Sequence, residues 1–102
     1  MDELYLYSLV NKELAEINKK VQFNNVDEAY DAIEDKVATI ADEFVNLISA
    51  VRRLYAGISD DEDMASINEK NGQVYMSALN VAKKAIQTAA MARKATITNY
   101  QL

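Results

Sequence analysis

The residues best suited to chemistry are carboxylates. Glu28, Asp31, Asp35 and Asp42 recur at spacings of three, four and seven, which places them on one face of a helix, with Ala38 in the gap. Carboxylates one turn apart can share a hard cation such as Mg2+ through their oxygens. Asp31, Asp35 and Asp42 are therefore the candidate metal ligands, although the same face also reads as the solvated side of an amphipathic helix. A second acidic run, Asp60-Asp61-Glu62-Asp63, lacks the glycine and the glutamate spacing of an EF-hand loop. It reads as a loop that caps the helix after it. Lys83, Lys84, Arg93 and Lys94 make two basic pairs, which are candidates for binding phosphate or an ordinary charged helix surface.

What is missing narrows the chemistry. The sequence has no Cys and no His. That excludes disulfides, thiolate nucleophiles, zinc held by thiolate or imidazole, and histidine bases. There is no Ser-His-Asp set, phosphate loop or dinucleotide fingerprint. The net charge is −5 and uneven: residues 27–63 carry eleven acids against three bases, residues 64–102 one acid against five. This balance argues against generic nucleic-acid binding, which wants a basic surface, and suggests that centre and end attract each other within or between chains. The start, Met-Asp-Glu-Leu, lacks the basic and apolar segments of a signal peptide. No apolar run reaches the roughly 20 residues of a membrane span. The expectation is a cytoplasmic protein with no membrane partner.

These side chains have to be positioned by helices. With 102 residues, no Pro and only two Gly, the sequence lacks the turn residues a small sheet protein needs. It predicts an all-α fold, a single domain over residues 1–102 built from three to four long amphipathic helices. A first helix over about 3–20 carries Leu6, Val10, Leu14, Ile17 and Val21 at helical period. After Phe23-Asn24-Asn25, the Asn25–Glu28 spacing predicts a capping box. A second helix over about 26–56 carries Tyr30, Ile33, Val37, Ile40, Phe44, Leu47, Val51 and Leu54 in steps of three and four, a heptad seam, and Gly57 reads as its stop. A third helical region over about 62–97 has a possible break at Asn71-Gly72 and a line of small residues, Ala78, Ala82, Ala85, Ala89 and Ala92. The tail from Thr96 to Leu102, rich in Thr and Asn, reads as frayed. Val45, Ile48 and Tyr55 widen the apolar face of the second helix beyond what one chain covers. The bundle is expected to be completed by oligomerisation, with a dimer favoured.

Two stretches, Asn24-Asn25-Val26-Asp27-Glu28-Ala29-Tyr30 and Ala85-Ile86-Gln87-Thr88-Ala89-Ala90-Met91-Ala92, resemble signature segments of small phage and prophage MazG-like proteins. These are all-α relatives of nucleoside triphosphate pyrophosphohydrolases, and the similarity runs from about Glu13 to Ala95. In active members a Glu-Glu-x-x-Glu and a Glu-x-x-Asp motif bind Mg2+, which activates water for cleavage between the α- and β-phosphates. The resemblance lays the first motif on Glu34, Asp35 and Ala38, and the second on Lys84 and Gln87. Of the expected ligand positions Asp35, Ala38, Lys84 and Gln87, only Asp35 is a carboxylate.

The resemblance therefore implies a catalytically degenerate MazG-like protein, a phage accessory that binds a nucleotide or a protein partner. One alternative is an active Mg2+-dependent triphosphate pyrophosphohydrolase with Asp31, Asp35 and Asp42 as a shifted metal site. Another is an anti-defence protein of the bacterial host cytoplasm, which inhibits a host defence protein or sequesters a nucleotide signal. If the family packing holds, Lys84 is expected to pair with Asp35 in place of the metal.

Overall fold

The computed structural model describes residues 2–101, with side chains from Asp2 to Thr96. Among the described residues there are three helices and no strand: α1 (Glu3–Lys20), α2 (Val26–Ser59) and α3 (Met64–Gln101). The all-α expectation holds, and α1 has the predicted bounds. Asp2 caps α1 by accepting a hydrogen bond from the Leu4 amide at 3.0 Å. Lys19 and Lys20 stand in its last turn, where they complement the helix dipole.

The cap of α2 differs from the expected box by one residue. Asn25 Oδ1 accepts from the Glu28 amide at 2.9 Å, as predicted. The Glu28 carboxylate, however, reaches back to the amide of Asn24, also at 2.9 Å. Two amides near the N-terminus are satisfied either way.

Gly57 does not end α2. The helix continues to Ser59, and the residue with positive φ is Asp61, at 56°. The Glu62 amide bonds to the Gly57 carbonyl at 3.0 Å and the Asp61 amide to the Ile58 carbonyl at 3.1 Å. That pair of bonds is a Schellman motif with aspartate in the left-handed position. Arg52 and Arg53 consequently fall short of the last turn.

Asp63 then caps α3, its Oδ1 accepting from the Ser66 amide at 2.8 Å. The helix passes through Asn71-Gly72 without a break, since a single glycine costs a helix interior only about 0.5–1 kcal/mol; a Cβ on Gly72 would meet no atom within 4 Å. It also runs through the tail that reads as frayed, as far as Gln101, since no proline or glycine interrupts it. Leu102 lies outside the described residues.

The chain divides into two compact units, one of Met1–Thr39 with Lys84–Leu102 and one of Ile40–Lys83. In the first, α1 packs on the early part of α2 and the late part of α3. Ile17, Ala90 and Met91 form its buried centre, with Val10, Leu14, Val21, Phe23, Ala32 and Ile33 packed around them. The second unit is a hairpin of the remaining stretches of α2 and α3, closed by residues 60–63.

Candidate functional site

The seam by which α2 meets α3 is not the one its apolar residues predict. In the hairpin unit the seam of α2 is formed by the buried or half-buried Ile40, Glu43, Leu47, Ala50, Leu54 and Gly57, with Ser49 half-buried beside it. In α3 it is formed by Ile67, Lys70, Val74, Ser77 and Val81, with Ser66 half-buried beside it. Both sets alternate steps of three and four, so each is one heptad line pair. Ile40, Leu47 and Leu54 were expected there. Phe44 and Val51 were too, yet they are 51% and 47% exposed.

The displaced residues fall on one side. The helices are antiparallel, so the positions flanking the seam on a given side occupy the same heptad place in both. On one side stand Phe44, Val51 and Ile58 of α2 with Met64, Asn71 and Ala78 of α3. Just outside them are Ile48, Tyr55, Asn68, Tyr75 and Ala82, and all of these are exposed. On the other side stand Asn46 and Arg53 with Ser66, Gln73 and Asn80. The hairpin therefore has one largely apolar flank, interrupted by Asn68 and Asn71 near the loop, and one polar flank, and the large side chains of the apolar flank stay exposed.

The first unit repeats the pattern. There α1 covers one flank, through Ile17 packed near Ala32 and Ala90. The opposite flank shows Tyr30 and Val37 of α2 and Ala85, Ala89 and Ala92 of α3, all exposed. The alanine line that predicts a close helix seam is thus uncovered in the single chain.

The sequence-predicted ligands are placed as follows. Asp31, Asp35 and Asp42 are all exposed on α2, the first two in the three-helix unit and Asp42 in the hairpin. Among the described residues no three His, Cys, Asp or Glu side chains converge as a group that could hold a metal. Asp35 and Lys84 form no ion pair: Asp35 points to solvent while Lys84 is half-buried on the seam line of α3. The cause is rotational, since Lys36, one residue on, takes the inward position.

Of the basic candidates, Lys83 and Arg93 are exposed. Lys94 is engaged: its Nζ donates to Asn18 Oδ1 at 2.9 Å and lies 5.6 Å from the centre of the Phe23 ring, tying α3 to α1. Lys83 and Lys94 are separated by about 16 Å of helix, too far to share one phosphate.

Sequence reasoning passed over a half-open cavity of about 200 Å³ in the three-helix unit, where Glu13, Glu16, Lys20, Lys36 and Gln87 meet over Met91. Gln87 Oε1 is buried there without a hydrogen-bond partner. Only the family alignment drew attention to Gln87; the four charged residues come from α1 and from the inward face of α2, and no short motif joins them. Two acids and two lysines give this wall no net sign.

Among the described residues no helix is long and apolar enough to cross a membrane. Comparison with known proteins finds no family model, no curated protein and no solved structure that matches this chain, so the MazG-like resemblance rests on its two short stretches alone.

Proposed function

We propose that this protein acts by association rather than by catalysis, as a self-assembling helical module whose single chain is an unfinished bundle. One observation carries the reading: the hairpin flank of Phe44, Val51, Ile58, Ile48 and Tyr55 is uncovered, while the flank opposite is polar. A solvated helix pair has no physical use for such segregation. Fully burying each large apolar side chain is worth about 1.5–3 kcal/mol, and a patch of this kind marks an interaction surface. The MazG-like resemblance fits here as a fold that has exchanged hydrolysis for binding, with Ala38, Lys84 and Gln87 at positions where active relatives hold metal.

Two charge insertions test the reading. Val51→Glu on the apolar flank should disperse the assembly in sedimentation, while Asn46→Glu on the polar flank should leave it intact. Equal behaviour of the two variants would remove the apolar flank from the account. Monophosphate and pyrophosphate released together from a nucleoside triphosphate, and lost in Asp35→Ala, would favour the hydrolase reading instead.

A further inference from the structure

We propose that the partner is a second copy of this chain, laid apolar flank to apolar flank, with α2 of each copy seated on the alanine stripe of the other's α3. The proposal rests on the assembly reading above and adds a specific arrangement. Two ways of facing the flanks have two-fold symmetry. With both hairpin loops at the same end, α2 lies on the partner's α3. With the loops at opposite ends, α2 lies on α2 and α3 on α3.

Size decides between them first. In the hairpin, α2 brings Phe44, Val51, Ile58, Ile48 and Tyr55 to this flank, whereas α3 brings Ala78, Ala82, Asn68 and Asn71 beside Met64 and Tyr75. In the three-helix unit, Tyr30 and Val37 stand on α2 against Ala85, Ala89 and Ala92 on α3. Large side chains over small ones interdigitate at close helix spacing. Large on large with small on small leaves one interface overfilled and the other void.

Charge is complementary in the first of these arrangements. Residues 26–39 of α2 carry five acids and one lysine, and residues 84–101 of α3 carry three bases and no acid. Laying α2 on the partner's α3 brings these stretches together across the interface.

The arrangement fixes which residues meet. Gly57 lies beside Lys70 within the hairpin. Stepping equally back along α2 and forward along α3 brings Phe44 level with Lys83 and Ala82. With the loops at one end, Phe44 of one copy therefore adjoins Ala82 of the partner subunit.

The test mixes two single variants of the full chain, Phe44→Cys and Ala82→Cys, under mild oxidation. The sequence has no native cysteine, so a disulfide joining the two variants must link different copies, and it forms only where the Cα atoms come within about 7 Å. We expect most of the mixture to convert to the mixed disulfide-linked dimer, with no such product from Asn46→Cys mixed with Asn80→Cys on the polar flank. All four positions are exposed in the single chain. If either first variant loses its helical circular dichroism, Val51→Cys with Tyr75→Cys samples the same contact one heptad along. A dimer by light scattering that fails to give this cross-link, or gives it from the polar pair, overturns the arrangement and leaves association standing. A monomer by light scattering overturns both.

Discussion

Gly57 gives up its side chain to Lys70. A Cβ at Gly57 would lie 3.2 Å from the Lys70 ammonium and 2.9 Å from the Glu62 carboxylate, the two groups that pair across the closed end of the hairpin. The ion pair is about two-thirds buried or more, its side chains 26% and 32% exposed. It sits in the space that the missing methyl leaves, so the glycine is there for close approach rather than to stop the helix.

The two glycines should therefore answer differently to alanine. Gly72→Ala, in open space within a helix, is expected to stabilise by about 0.5–1 kcal/mol. Gly57→Ala has the same helical gain, offset by displacement of the pair, and should end near zero. In a Glu62→Ala background the gain at Gly57 should reappear. Urea unfolding at fixed protein concentration reads all of these. Equal gains at both glycines in the parent chain would show that the pair does not use the space.

Asp61 carries the backbone strain that glycine usually relieves. Its φ of 56° ends α2, and no bond from its own side chain is seen to offset the cost. Asp61→Gly should stabilise the fold by about 0.5–1 kcal/mol, a discounted form of the left-handed penalty because aspartate tolerates that region better than most residues. A loss of stability on the same substitution would mean that the side chain contributes more than its strain costs.

Much of this was legible in the residues, and the exceptions have physical causes. The α1 face from Val10 to Val21 packs as its period predicts, and Asn25 caps α2 through the amide three residues on. Gly57 misleads because glycine serves either a positive φ or a close approach, and a sequence does not distinguish the two. The α2 seam misleads for another reason. Two heptad lines, Tyr30-Val37-Phe44-Val51 and Ile33-Ile40-Leu47-Leu54, are both apolar, and inside the chain only the second is used. Its true neighbour line contains Lys36 and Glu43, both half-buried, as long charged side chains can be when their aliphatic stems lie along apolar surface. No hydrophobic pattern finds such residues. For the candidate site the residues gave the apolar excess at Val45, Ile48 and Tyr55 but not the side on which α3 would add to it.

Asp63 should make stability pH-dependent at the acid end. The hydrogen bonds from the Ser66 amide and hydroxyl, with a smaller one from the Ala65 amide, hold its carboxyl below the ordinary value of 3.8. A lowered folded pKa means that the cap's contribution is complete above the unfolded value and fades as pH falls through the folded one. Asp63→Ala should therefore lower Tm at neutral pH, with the gap to the parent closing below about pH 4. A gap that stays constant into that range would show that the charge is irrelevant to the cap.

Lys84 and Asp35 should behave independently. With no ion pair between them and Asp35 exposed, Lys84→Met and Asp35→Asn should add within about 0.5 kcal/mol in a double-mutant cycle. A larger coupling would return the lysine to the place expected of it when the family packing is assumed, standing in for a metal.

The account as a whole depends on whether the apolar flank is covered. Light scattering of the purified chain at micromolar concentration measures this directly. The expected mass is twice the 11.4 kDa of the chain, falling toward that of one chain in Val51→Glu. A mass of 11.4 kDa for the parent chain would contradict it.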